Sequence, residues 1–425
     1  MALGIFRKKA VCADRIFYNA KVYTMDPVLP WTEAVAVEGG KIMAVGNYSE
    51  MENLIDEDTE LIDLEGKYLL SGFIDIHHSP VMKMMEANYT LDEEEEREAE
   101  EEDAKNIFAS LDHAVQVLED DEDEEELPEE TEEPEEEEDP EEDLTEYYVD
   151  NSEFTGKVLE NMRALADKGI TSVVNLKTPN EIENEYEDSL IELFTESDLK
   201  QRFNGALYIN RPAPARLVKE VLSMRRTKCV ELDDMVRNEI LHLVLDSSEG
   251  RVFPQKDLND ILLECSDRGF ILFLEAVEHD DLIKAYNAVD YIRNKGYHNN
   301  ILIISDEELT DEEDSVLSSS GTVFTTWRAD EMGRSYFEDA VSDPEEAVEH
   351  LTMESAAIIG MEDVLGSVEK GKYADFTIFS EDVFSLRPGE FSRLCADMTV
   401  VNGEVVHDVD AENDEFLLDM MIYNR

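Results

Sequence analysis

Apolar residues fall in short, closely spaced runs at both ends of the chain and in longer mixed periods between them. Over the first 70 residues, ADRIFYNAKVYTMD, EAVAVEGGKIMAVGN and TELIDLEGKYLL alternate or cluster apolar positions. They are broken at Asn19, Gly39, Gly40, Gly46 and Gly66, so they read as strands. The last segment has the same texture in GKYADFTIFSED and CADMTVVNGEVVHD, where Asn402-Gly403 predicts a tight hairpin. In the middle, TGKVLENMRALADKG predicts an amphipathic helix and ITSVVNL the strand after it. GALYIN, EILHLVLD, GFILFLEAV and NILIIS are further short strands. DLNDILLECSDRG and HDDLIKAYNAVDYIRNKG are helices stopped at Gly269 and Gly296. Repeated β-α units predict a parallel sheet or a (β/α) barrel. The two β-rich ends predict one β domain built from both termini.

Charge changes this picture. The 425 residues carry 36 Lys+Arg against 105 Asp+Glu, a formal net charge of −69. Phosphate binding needs clustered Lys and Arg, so nucleic acid is excluded as an expected partner. An anionic membrane surface is disfavoured for the same reason. Residues 92 to 143 hold 31 acidic residues and 2 basic ones, which is under half of the excess. AKNIFASLDHAVQVL, at 104–118, carries a helical apolar stripe inside this acidic stretch. The Pro-punctuated part, 119–143, buries too little apolar surface to order itself and is expected to be a disordered insertion. Such an insertion can attract basic partners or cations. Cys12, Cys229, Cys265 and Cys395 are scattered, which predicts free thiols in a reducing, cytoplasmic setting. No run approaches the ~20 apolar residues of a membrane span.

The two ends resemble a known family. ADRIFYNAKVYTMD, AVAVEGGKIMAVG and IDLEGKYLLSGFIDIH are similar to the entry of the amidohydrolase superfamily, and HLTMESAAIIGMEDVLGSVEKGKYADFTIF to its exit. MTVVNGEVVHD is similar to its closing hairpin, and Trp31 to a tryptophan of its amidohydrolase-3-like branch. The resemblance implies a (β/α)8 TIM-type barrel over 71–362, containing the acidic insertion at about 92–143. It also implies a small β-sandwich composed of 12–70 and 363–425. It implies hydrolysis of amide, cyclic amide or amidine C–N bonds, with zinc or another divalent metal activating water.

The metal positions are where this chain departs from the family. An H-x-H pair ends the first barrel strand there, because positions i and i+2 of a strand share a face. Here His77 is followed by Ser79, and His78 lies between them. In HLVLDSS, His242 stands where the family has a bridging lysine or acid, with Asp246 kept; Glu275 and Ser305 stand in two histidine positions. The final aspartate has no clear equivalent, Asp330 and Asp343 being the nearest acids. A serine hydroxyl is a poor substitute for imidazole, and a catalytic metal needs about three protein ligands.

Several readings follow. His77, His242 and Glu275 form a relocated metal site, or no metal is bound. Asp246 and Glu275 are the candidates for proton transfer. His279 and Asp280 read first as the start of a helix, and Lys177 as a strand leaving into a loop. The chain is a hydrolase taking a small-molecule substrate, or an inactive scaffold that binds a ligand or partner, with the acidic insertion as its interaction element. A homo-oligomer is left open by the sequence.

Overall fold

The structure is a computed structural model. It describes residues 12–76, 151–176, 200–210, 235–248, 252–305, 307, 309–310, 322–325, 343–387 and 393–411, with 212, 218 and 390 singly. The acidic stretch, the expected helix at 104–118, and His77, His78, Ser79, Lys177 and Asp330 lie outside the described residues.

Seven parallel strands form the sheet of the (β/α)8 barrel. They are β8 (Phe73–Asp75), β9 (Ile170–Asn175), β10 (Arg202–Ile209), β11 (Val236–Leu245), β12 (Ile271–Ala276), β13 (Ile301–Ile304) and β14 (Thr322–Thr325). Their order in the sheet is their order in the chain. Among the described residues, helices Asn151–Ala166, Gln255–Asp267 and His279–Asn294 lead into β9, β12 and β13, the long crossovers that parallel neighbours require. Helix Gln255–Asp267 buries Leu258, Ile261, Leu262 and Cys265, an i, i+3, i+4, i+7 stripe. It stops at Gly269, and helix His279–Asn294 at Gly296, both left-handed with φ of 79° and 91°. Alternation sorts each strand. Leu241, Leu243, Leu245, Leu272 and Leu274 pack outward with these helices. Ile240, Ile271 and Phe273 pack with Leu302, Ile304, Val174 and Ala206 on the inner side.

The sandwich is composite. One sheet has the order β5-β4-β1-β6, from Lys41–Gly46, Ala34–Glu38, Arg15–Tyr18 and Glu60–Asp63. The other has the order β17-β16-β15-β7-β2-β3, from Glu404–Asp408, Met398–Val401, Phe376–Phe379, Tyr68–Ser71, Lys21–Tyr23 and Trp31–Thr32. C-terminal β15 pairs antiparallel with N-terminal β7, Phe376 opposite Ser71, so neither end completes the sheet alone. Phe17 and Phe376 meet edge-on at 5.6 Å between the sheets. Asn402 and Gly403 both take positive φ, 51° and 75°, as a two-residue type I′ hairpin demands. No helix among the described residues is long and apolar enough to cross a membrane.

Gly169 links barrel and sandwich. It follows helix Asn151–Ala166 with φ of 82°, and its carbonyl accepts from Thr377 Oγ1 at 2.5 Å. A Cβ at this position would collide with the Thr377 side chain. Gly169→Ala is therefore expected to cost roughly 1–3 kcal/mol in denaturant unfolding. A loss within error of zero would show that the strand can give way.

Cys12, Cys265 and Cys395 are free thiols, and they differ sharply in surroundings. Burial pushes the Cys265 thiol up to about 12, so almost no thiolate exists at neutral pH. In native labelling with peptide mapping, exposed Cys395 should be alkylated promptly and Cys265 only after unfolding. Early modification of Cys265 would contradict its packing.

Candidate functional site

Two buried polar side chains meet inside the barrel. His242 on β11 and Glu275 on β12 occupy inner-face positions, two residues beyond Ile240 and Phe273 respectively. Register places Val244 beside Glu275, so His242 lies one inner-face step back along the neighbouring strand. The ring Nε2 is 3.1 Å from Glu275 Oε2. The ring Nδ1 is 2.9 Å from the Leu176 carbonyl, just past the end of β9. A carbonyl oxygen only accepts, so Nδ1 carries a proton and donates it there. Nε2 then faces a carboxylate, and that contact is a hydrogen bond only if a further proton lies between the two groups. Tyr208, paired in register with His242 on β10, sets its ring 5.3 Å from the imidazole. The His242 side chain is fully enclosed, whereas Glu275 keeps 11% of its surface exposed. Glu275 is thus the member that solvent or a substrate meets.

The other sequence candidates have different duties. Ser305 is buried and donates its hydroxyl to the Ala276 carbonyl at 2.8 Å, tying the ends of β12 and β13 together. Asp246 accepts from the backbone and hydroxyl of Ser248 at 3.1 and 2.6 Å, a local turn at the end of β11. His279 opens its helix, half exposed, with Glu307 3.8 Å away. Asp343 caps helix Pro344–Glu349 by accepting from the Glu345 N–H. Buried Asp281 escaped the sequence reading, which placed it inside a helix start. Its carboxylate accepts from both the N–H and the hydroxyl of Ser247 at 2.8 Å, and it sits 3.3 Å from Lys284. It fixes the turn that follows β11.

A metal-bound histidine usually donates its second ring N–H to a carbonyl or carboxylate, and His242 does so to Leu176. However, among the described residues the donors that converge are one imidazole and one carboxylate, 3.1 Å from each other. Among the described residues, no three His, Cys, Asp or Glu side chains gather closely enough to hold a metal ion. A catalytic site needs about three protein ligands. The described donor set does not fit.

Comparison with known proteins agrees with the geometry of the fold. Residues 311–407 match the model of the amidohydrolase family. The exoenzymes regulatory protein AepA of Pectobacterium carotovorum subsp. carotovorum is 38% identical over 88 residues, 20% of this chain and 19% of that protein. The N-substituted formamide deformylase of Arthrobacter pascens is 38% identical over 65 residues, 15% of this chain and 12% of the enzyme. The chain therefore spans less than a fifth of the length of these relatives in the matched stretches. A variant of the atrazine chlorohydrolase of Arthrobacter aurescens TC1, solved with zinc and atraton, superposes with a TM-score of 0.60 at 15% identity. That match covers 96% of this chain and 99% of the other. An uncharacterized metal-dependent hydrolase from Pyrococcus furiosus gives 0.60 at 14% identity, covering 87% of this chain and 100% of the other.

Proposed function

We propose that the chain, whose residues 311–407 match the amidohydrolase family and whose fold is that of metal-dependent hydrolases, hydrolyses amide, cyclic amide or amidine C–N bonds at the C-terminal ends of its barrel strands. The observation that carries this reading is the enclosed His242–Glu275 contact at 3.1 Å, on the barrel face where such sites form. Glu275, the accessible member, takes a proton from water as the water oxygen bonds to the substrate carbon. The C–N bond then breaks, and the same proton passes to the leaving nitrogen. His242 acts from behind as a positioning residue. Its Nδ1–H is anchored on Leu176, its face lies against Tyr208, and its Nε2 side holds the carboxylate in place. The family implies a divalent metal such as zinc, and a similar structure was solved with zinc. Among the described residues, the donors do not fit one.

A second reading is favoured by that two-donor set: a barrel kept for its shape, which binds a small ligand or a partner without turnover. Its acidic segment would then recruit basic proteins, and deleting 119–143 should weaken their capture. Scattered free thiols support a cytoplasmic location for either form.

The experiment is a hydrolysis screen over amides, cyclic amides and amidines, with metal content measured on the same purified sample. Turnover supports the hydrolase. Absence of turnover across all three classes, with or without added zinc, overturns it in favour of the binding barrel.

A further inference from the structure

The loop from β2 to β3 sets apolar side chains in water. Val28 is 87% exposed, Leu29 43% and Trp31 44%, the densest run of exposed large apolar side chains among the described residues. Looseness is not the cause. The hydroxyl of buried Thr24 donates to the Leu29 carbonyl at 2.6 Å and accepts from the Asp26 N–H at 3.0 Å. The Thr24 N–H donates to the Pro30 carbonyl at 3.1 Å, and the Val28 N–H to Asp26 Oδ1 at 2.8 Å. Pro27 and Pro30 fix two further φ angles. A backbone held this way keeps its side chains outward and loses little freedom when a partner covers them.

Beside the loop lies a group of half-exposed rings. Trp31 sits 4.8 Å from Tyr23, its cross-strand partner on β2, 5.6 Å from Phe384 and 6.3 Å from Tyr68. Lys21 already covers the Tyr68 ring, with Nζ 4.1 Å from its centroid. β3 is the outer strand of its sheet, so among the described residues no strand lies beyond Trp31. Contiguous apolar surface of this kind, rimmed by polar residues, marks a site of interaction.

The rim selects the partner. Glu345 and Glu349 stand exposed, one turn apart on helix Pro344–Glu349, and among the described residues neither has a basic partner. Like charges at this spacing repel. Their field reaches the rings: burial first, then Glu345 and Glu349, hold the Tyr23 hydroxyl above its ordinary value. A second copy of the chain, or an anionic membrane, would add negative charge to a net −69. A Lys or Arg does the opposite, laying its apolar stem on the rings while its charged head reaches the carboxylates.

We propose that this face of the sandwich docks a basic segment of another protein, in which an apolar residue covers Val28, Leu29 and Trp31 and a neighbouring Lys or Arg reaches Glu345 and Glu349. The surface uses neither His242 nor Glu275, so it stands whether or not the barrel turns over a substrate.

The test is titration calorimetry of the full chain with two short synthetic peptides of equal charge, one alternating Lys and Leu, the other Lys and Ser. Both feel the negative charge of the whole chain, so the difference between them reads the apolar contact. The Lys–Leu peptide should bind at least about tenfold more tightly. Leu29→Ser with Trp31→Ala should remove that advantage and leave the Lys–Ser affinity unchanged. Glu345→Gln with Glu349→Gln should weaken the Lys–Leu peptide, and an unaltered affinity there overturns the choice of a basic partner. Equal binding of the two peptides, or an advantage that survives Leu29→Ser with Trp31→Ala, overturns the docking face. Sedimentation of the free chain covers the other occupant. Dimerisation that Trp31→Ala abolishes overturns the proposal in favour of a second copy. Trp31 also gives a readout that leaves the patch intact. The only other tryptophan is Trp327, so a Trp327→Phe chain emits from Trp31 alone. Its emission should move to shorter wavelength with the Lys–Leu peptide and not with the Lys–Ser peptide. Emission that responds to neither overturns the proposal.

Discussion

Replacing Asp375 with alanine is expected to destabilise the protein by about 3–5 kcal/mol, read as a lower midpoint in denaturant. Arg202 at the start of β10 is enclosed, as is Asp375, with 2% of each side chain exposed. Nε and Nη2 of the guanidinium reach the two carboxylate oxygens at 2.7 and 3.2 Å, a two-pronged contact. Nη2 also donates to Asn402 Oδ1, and the guanidinium stacks 4.0 Å from the centroid of the Tyr373 ring. Barrel and sandwich are thus joined by a charge pair that water does not screen. Without Asp375, the buried guanidinium loses this opposing charge. Most of the loss comes from that lost compensation, and a smaller part from the absent contact. Changing Arg202→Met and Asp375→Leu together removes the stranded charge and should cost far less than Asp375→Ala. A double variant as unstable as the single one would show that the pair contributes more than charge neutrality.

The sequence pattern revealed much of this frame, but not its joints. The Asn402-Gly403 turn and the stops at Gly269 and Gly296 were legible because each needs a backbone conformation that few residues adopt. The strands GFILFLEAV and NILIIS were legible because both faces are buried, which leaves unbroken apolar runs. The start of β10 was not. The sequence suggests a strand from Gly205, yet it begins at Arg202, and Asn204 is also buried. A charged residue reads as a loop unless its partner is known, and Asp375 lies 173 positions away. The same holds at the site. His242 and Glu275 were each picked out by type and position, 33 residues apart. Their mutual bond and the anchor on Leu176 depend on register across three strands, which no local pattern encodes. Asp281 looked like helix-start chemistry because its true partner, Ser247, belongs to the preceding unit.

Glu275→Gln carries the largest expected effect on activity. Glutamine keeps the size and still offers Oε1 to the Nε2 side of His242, so the fold and the Leu176 anchor should survive. It cannot take a proton from water at neutral pH, and removal of a positioned general base costs typically 10²–10⁴-fold. His242→Gln should lose less, because that residue orients the carboxylate and never meets the substrate. The direct measurement is kcat/KM for the best C–N substrate, wild type against Glu275→Gln, with circular dichroism confirming equal folding. A loss of at least about 100-fold with an unchanged fold is expected. A folded Glu275→Gln that turns over the substrate at the wild-type rate would contradict it.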